Sequence, residues 1–293
     1  MEKVAHSVFR KENNDSEKKI ETILAYLENR EDQFKDLLKE TFKDGAWLKS
    51  FLGDSHHGYI HGDQVRSAGL KLIANLNLEE KEKLLQEGIR ISKINSNKYA
   101  TAAIEIAAVF HDCGRFNEKG EVISEEQNYH HILSAKRAAV FCREIGLGII
   151  APDVEGAILG HDFQNSELTP DLNSPQTIIG KIVQSADQMG WFHPDSVNRT
   201  LAYNKALGAP FYDPEITLSE RLSWKPGNKS RDALTVMLNQ LFGPTNAERF
   251  GIEFARNKVE MYKIDLENNI LKIADKYNLR TEIEILIEKF KNI

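Results

Sequence analysis

Apolar residues recur at intervals of three and four along most of the chain, which predicts amphipathic helices. The clearest stripes comprise Ile20, Ile23, Leu24 and Leu27; Phe34, Leu37, Leu38 and Phe42; Val65, Leu70, Leu72 and Ile73; and Leu84, Leu85, Ile89 and Ile91. The alternation with a period of two that is typical of strands is missing. The pattern therefore predicts an all-α fold.

The stretch from Ala100 to Phe110 is apolar on nearly every side, so we expect a helix in the core. Gly114 is a suitable place for this helix to end. Further helices are predicted over 134–145, 153–161 and 177–189. The stretch 191–230 holds four of the eight prolines, and we expect loops there with one short helix near 198–207. A last helical region is predicted from about Thr245 to the end, with a break near Tyr277.

Composition and charge exclude several classes of protein. The 293 residues carry 38 basic and 44 acidic side chains, a net charge of −6, which argues against general nucleic-acid binding. Two cysteines, Cys113 and Cys142, are too few for a disulfide framework and favour a reducing, cytoplasmic setting. We find neither a targeting segment nor an apolar run long enough to span a membrane.

Histidines are concentrated in one region of the chain. Seven of the nine lie between His56 and His161. Histidine together with aspartate is typical of metal sites. Five places stand out, because each lies at a predicted helix end or on an apolar helix face, where a polar group needs a partner: His61, His111-Asp112, His130, His161 and Asp187.

The order of these residues and their surroundings resemble the HD-domain superfamily of metal-dependent phosphohydrolases. The segment HDCGRF is similar to an HD-G-R-F variant of the motif, and SADQMG to the segment that carries the last aspartate. The resemblance implies a helical bundle with its core at 55–195 and a C-terminal loop and helical extension at 196–293. We expect one all-α domain over 1–293, with additional helices at both ends.

The resemblance also implies a site for two divalent transition metals, of which Fe, Mn, Ni, Co and Zn suit the histidines. The first metal would be bound by His61, His111, Asp112 and Asp187, and the second by His130 and His161 with Asp112 bridging. His111 and Asp112 are thereby the candidate catalytic residues.

The choice of ligands leaves alternatives. Either His130 or His131 is the ligand, and the small residue Ser134 four positions after His130 favours His130. His56 and His57 are interpreted as exposed loop residues or as hydrogen-bond donors to the ligands.

The resemblance implies hydrolysis of a nucleotide or another small phosphate ester, because hydrolysis is the commoner activity in this superfamily. Two metal ions would activate a water and neutralise phosphoryl oxygens. Cations near the predicted ligands would contact the phosphate, and our candidates are Arg115, Lys136 and Arg66. The aromatic residues of 191–230 either pack against the last helices or close over the substrate.

Two other functions stay open. The same ligands occur in di-iron oxygenases of this superfamily, such as myo-inositol oxygenase. A non-catalytic module that binds metal or nucleotide is the third hypothesis. The apolar face of the last helical region either packs within the chain or pairs two chains as a homodimer.

Overall fold

The computed structural model describes residues 17–54, 58–93, 97–123, 130–161, 175–224, 230–243, 245 and 249–292. Within these ranges the chain forms fourteen α-helices and no β-strand, which confirms the all-α prediction. They are α1 (17–29), α2 (Glu31–Phe42), α3 (Ala46–Gly53), α4 (Tyr59–Ala74), α5 (Leu78–Ser92), α6 (Lys98–Phe110), α7 (His130–Glu144), α8 (Ala151–Leu159), α9 (Ile178–Phe192), α10 (Ser196–Ala206), α11 (Leu218–Ser223), α12 (Ala233–Phe242), α13 (Glu253–Lys276) and α14 (Arg280–Lys291). None of them has the length and apolarity needed to cross a bilayer.

The chain divides into two compact units. The first comprises residues up to Asp187 together with Phe250–Phe254, and the second comprises Gln188–Arg249 and Ala255–Ile293. The boundary lies within α9, eight positions before the predicted end of the core at residue 195. The single domain expected over 1–293 stays a prediction, and each unit is described by itself.

Helix α6 lies at the centre of the first unit. Nearly all of its side chains are buried, and it packs against α4, α5, α7 and α8. Its one acidic residue, Glu105, is buried and forms an ion pair with Arg66 of α4 at 3.0 Å. The apolar run therefore forms the core helix that its composition predicts. Its C-terminal end leads directly into His111 and Asp112.

The second unit is built from helices of the C-terminal half. A continuous core of buried residues includes Leu234 and Leu238 of α12, Leu266 and Ile270 of α13, and Ile287 of α14. The predicted break near Tyr277 is confirmed, because α13 ends at Lys276 and α14 begins at Arg280. Between them Asn278 has a φ of 56°, in the left-handed region that interrupts helices.

Some element predictions for the second unit were incomplete or wrong. The stretch 191–230 contains a second short helix, α11, besides α10. Its start was visible in the sequence, because Thr217 and Glu220 form a reciprocal capping box. The last helical region begins with Glu253 and not near Thr245. Helix α12 was not predicted, and neither was α3 of the first unit, since both are short and mostly apolar and show no clear polar face.

Candidate metal centre

Six side chains from five parts of the first unit meet at one place. His61 is the third residue of α4, His111 follows the last residue of α6, and Asp112 comes next in the turn. His130 begins α7, His161 lies just after α8, and Asp187 lies on α9. All six were predicted from the sequence: His61, His111, Asp112, His130, His161 and Asp187. His56 and His57 lie outside the described residues.

Two of the imidazoles are oriented by the helix ends that carry them. The Nδ1 atom of His111 lies 2.7 Å from the carbonyl oxygen of Ala108, and Nδ1 of His161 lies 2.5 Å from that of Ile158. These carbonyls belong to the last turns of α6 and α8, where carbonyl oxygens lack the ordinary donor four residues further along the helix. With Nδ1–H donating to the carbonyl, each ring presents Nε2 to the cluster, as a metal ligand requires.

A first group of ligand atoms surrounds one position. Nε2 of His61 lies 3.4 Å from Oδ1 of Asp187 and 3.9 Å from Oδ2 of Asp112. Nε2 of His111 lies 3.5 Å and 3.7 Å from the same two oxygens. The two imidazole nitrogens therefore each lie within 4 Å of the same two carboxylate oxygens.

A second group meets the other oxygen of Asp112. Oδ1 lies 3.3 Å from Nε2 of His130 and 4.0 Å from Nε2 of His161. Asp112 thus directs Oδ2 toward His61 and His111, and Oδ1 toward His130 and His161. A carboxylate arranged in this way can bridge two metal ions. The two groups adjoin, because ligand atoms of His111, His161 and Asp187 also lie within 4.8 Å of one another.

The spacing and chemistry of these atoms fit divalent metals. Nitrogen and oxygen ligands about 2.1 Å from an ion lie about 3.0–3.4 Å apart. The observed separations of 3.3–4.0 Å approach this range and exceed most direct hydrogen bonds. Nε2 of His111 is buried, and its distances of 3.7 Å and 3.5 Å to oxygens of Asp112 and Asp187 are longer than those of ordinary hydrogen bonds. The residues therefore fit borderline divalent cations.

Close backbone packing brings the ligands together. A methyl group at Gly62 would overlap the carbonyl oxygen of Val109, so this glycine lets α4 approach the end of α6. Gly114, after the His-Asp pair, lies against the first turn of α7, and its N–H donates to the Ser134 hydroxyl at 2.7 Å. The small residue Ser134 therefore matters for how α7 meets this turn. Gly62 was not singled out in the sequence, although it directly follows His61.

Arg137 holds the segment after the His-Asp pair. Its guanidinium donates to the carbonyl oxygens of Cys113 and Phe116, both at 2.8 Å, and lies over the ring of Trp47. Arg137 is seven residues after His130 on α7, so both side chains lie on nearly the same helix face. Arg137, which joins α7 to the turn, thus lies on the same helix face as the candidate metal ligand His130.

The charges of the cluster shift its pKa values. Burial alone would raise the pKa of Asp187, but the imidazoles of His111 and His61 hold it well below its usual range. Burial likewise acts to lower the pKa of His111, yet Asp112 and Asp187 raise it to about 9. Burial lowers the pKa of His61. Burial and the positive charge of Arg115 hold the pKa of His130 well below its usual value. Without metal, His111 therefore carries the proton that balances Asp187.

The predicted substrate contacts are placed very differently. The side chain of Arg115 is 25% exposed and lies with its Nε 2.9 Å from Oδ1 of Asp112. Arg66 is buried between Asp63 and Glu105, where it joins α4 to α6. Lys136 is exposed on α7, about 120° around the helix from His130. The structure thus brings Arg115 to the cluster and assigns Arg66 an ion pair.

The adjacent histidines of α7 also differ. His130 joins the second group through its Nε2, as the sequence analysis favours. His131 is 1% exposed, and its ring centroid lies 5.6 Å from that of His130. His131 therefore packs beside a candidate ligand.

Comparisons with known proteins assign no family. A scan against protein-family models gives no match, and a search of curated proteins gives none either. The functional argument therefore depends on the site itself.

Proposed function

We propose that this chain is a metal-dependent phosphohydrolase of the HD-domain type, acting on a nucleotide or another small phosphate ester. One observation carries the proposal: Asp112 directs each of its two carboxylate oxygens toward a different pair of histidines. A carboxylate that bridges two divalent ions, with imidazoles completing both sites, is suited to phosphate ester hydrolysis. The donor set favours Fe, Mn, Ni, Co or Zn as the two ions.

The chain's own residues orient the site. His111 and His161 use Nδ1 at a helix end, which directs Nε2 inward. The C-terminal ends of α6 and α8 lead into these two ligands, and the partial negative charge of a helix C-terminus favours cations. Ligands held by rigid helix ends need little reorganisation when an ion binds.

Two ions at such a site supply an activated water at neutral pH and positive charge opposite the phosphoryl oxygens. Hydrolysis then adds one water across the ester. The water oxygen forms a new bond to phosphorus, the ester P–O bond breaks, and the leaving oxygen takes a proton. Neither oxidant nor reductant is consumed, so the reaction proceeds without O₂.

The partly exposed residues indicate where a substrate reaches the site. His111, His130 and His161 are almost completely buried, whereas the side chains of Asp187 and Arg115 are 20% and 25% exposed. An anionic phosphoryl group approaching this edge meets the Arg115 guanidinium, a good partner for phosphate oxygens. Access past the Arg115 guanidinium favours a phosphate group at the end of a small molecule.

The test is hydrolysis in the absence of oxygen. The purified chain is loaded with Mn²⁺, Ni²⁺, Co²⁺ or Fe²⁺ and given p-nitrophenyl phosphate, bis-p-nitrophenyl phosphate and a panel of nucleotides. We expect metal-dependent release of alcohol or phosphate that is lost in Asp112→Ala. His193→Ala is the matched control, because His193 is exposed and packs on Tyr262 in the second unit.

The outcomes separate the competing functions. Anaerobic turnover that depends on metal and on Asp112 supports the hydrolase. Consumption of O₂ by a di-iron form, with no anaerobic turnover of any ester, would contradict it in favour of an oxygenase. Metal or nucleotide binding without turnover under either condition would also contradict it, in favour of a binding module.

A further inference from the structure

The two oxygens of the bridging carboxylate are not equivalent, because one of them also meets an arginine. Oδ1 of Asp112, the oxygen on the side of His130 and His161, lies 2.9 Å from Nε of Arg115. Oδ2, the oxygen on the side of His61 and His111, lies 3.9 Å and 3.7 Å from the Nε2 atoms of these two residues. The arginine therefore marks one of the two candidate metal positions.

A guanidinium and a divalent cation compete for the same oxygen. Both are positive, and a cation in the second group would lie about 2–2.2 Å from Oδ1. An Nε atom that stays 2.9 Å from this oxygen would then be in strongly repulsive proximity to the ion. The 3₁₀ turn Cys113–Arg115 carries the arginine only three residues after Asp112. The side chain can rotate toward solvent, since it is a quarter exposed.

We propose that Arg115 controls loading of the second metal position: its guanidinium occupies Oδ1 of Asp112 until an ion at His130 and His161 displaces it. This inference rests on the proposed function. The first position, at His61, His111, Asp187 and Oδ2 of Asp112, is loaded without displacing Arg115. The second ion binds more weakly, because it must replace the ion pair between Arg115 and Asp112. Loading is therefore sequential.

The proposal links loading to the substrate. Once displaced, the guanidinium remains at the partly exposed edge of the cluster, where a phosphoryl group is expected to enter. The same side chain thus neutralises Asp112 when the second ion is absent and faces an anion when both ions are bound.

The test measures metal binding and not activity. Wild type, Arg115→Ala and Arg115→Lys are stripped of metal and titrated with Mn²⁺ under equilibrium dialysis. Electron paramagnetic resonance follows the same samples, because a coupled Mn²⁺ pair differs from a single bound ion. We expect two affinities in wild type. In Arg115→Ala we expect the affinity of the second position, at His130 and His161, for Mn²⁺ to rise about tenfold, because the competing ion pair is lost. The affinity of the first position should change little. Arg115→Lys keeps the positive charge and stays close to wild type.

Lys119→Ala is the matched control. Lys119 is exposed in the same turn region, so this variant removes one positive charge without touching Asp112. We expect wild-type binding of both ions. An equal rise in Lys119→Ala would overturn the proposal, because the effect would then be general electrostatics. An unchanged or weaker second affinity in Arg115→Ala overturns it as well.

Failure of this inference differs from failure of the proposed function. If wild type binds two ions and Arg115→Ala binds them with the same affinities, only the role of Arg115 is wrong. If wild type and Asp112→Ala bind equally little Mn²⁺, the metal centre itself is wrong, and the role of Arg115 fails with it. Far-UV circular dichroism establishes that each variant is folded.

Discussion

Gly62 of α4 lies directly against the carbonyl oxygen of Val109 of α6, with no room for a side chain between them. The residue before Gly62 is His61, and two residues after Val109 comes His111. The closest approach of the two helices is therefore next to two candidate ligands, whose ring centroids are 5.0 Å apart. The backbone contact between α4 and α6 therefore also sets the positions of His61 and His111.

Gly62→Ala tests this coupling. The added methyl group forces α4 away from α6, which we expect to lower the free energy of unfolding by about 1–3 kcal/mol. The shift also moves His61 and weakens binding of the first metal ion. Gly156→Ala is the control, because a methyl group at this position in α8 meets nothing within 4 Å. Replacing a helical glycine there should stabilise by about 0.5–1 kcal/mol. Denaturant unfolding and metal titration measure both effects, and equal stability of the two variants contradicts the coupling.

Single ligand variants should remove one ion each. Asp187→Asn belongs to the first group, so we expect it to lose the tighter Mn²⁺ ion and keep some binding at the second position. His161→Ala belongs to the second group and should keep the first ion. Asp112→Ala touches both groups and should lose both ions. Metal analysis after dialysis counts bound Mn²⁺ per chain, with His193→Ala as the control. Loss of the same single ion in Asp187→Asn and His161→Ala would contradict the two-position assignment.

Metal affinity should depend on the protonation of His111. Its pKa is raised to about 9, chiefly because Asp112 and Asp187 outweigh burial, so the imidazole is protonated at pH 7 in the metal-free chain. A ligand nitrogen must lose its proton before it binds an ion. We therefore expect the affinity for Zn²⁺ to rise about tenfold from pH 7 to pH 8, as one displaced proton requires. Competition with a chelator whose own protonation is known measures this change. An affinity that stays constant or falls would contradict the raised pKa.

Arg66→Ala should expose the electrostatic role of the buried ion pair. The variant leaves Glu105 buried without its arginine, which typically costs about 3–5 kcal/mol. Burial already raises the pKa of Glu105, and loss of Arg66 removes the interactions that lower it. A carboxyl whose pKa is higher in the folded than in the unfolded chain favours folding at low pH. Stability of the variant should therefore fall, relative to wild type, as the pH rises above about 4.5.

The matched variant for this prediction is Arg66→Ala combined with Glu105→Gln. The neutral amide does not titrate, so the additional pH dependence should vanish. Urea unfolding at pH 5 and pH 8 provides the comparison. If the additional pH dependence of stability persists in the double variant, a group other than Glu105 causes it. If Arg66→Ala is as stable as wild type at both pH values, the ion pair has no structural role.

The sequence alone predicted much of the fold and the set of candidate metal ligands. Local spacing decides whether a stretch can bury one face of a helix, so α2, α4, α5 and the apolar α6 were predictable. The six candidate ligands stood out because polar groups on apolar faces and at helix ends need partners, and the resemblance to the HD-domain superfamily grouped them as one set. The short helix α11 was also visible through its capping box, although the prolines around it favoured a loop.

Only the tertiary structure decided how these residues face one another. Nothing local in the sequence distinguishes Oδ1 from Oδ2 of Asp112, yet the two oxygens lie near different pairs of histidines, which gives two candidate metal positions. Arg66 and Arg115 both follow a ligand closely in sequence, but one faces Glu105 of α6 and the other Asp112. Such choices depend on helices that are distant in the chain and meet in space, as Gly62 and Val109 do. Spacing along the chain specifies helix faces, and packing between helices specifies what those faces touch.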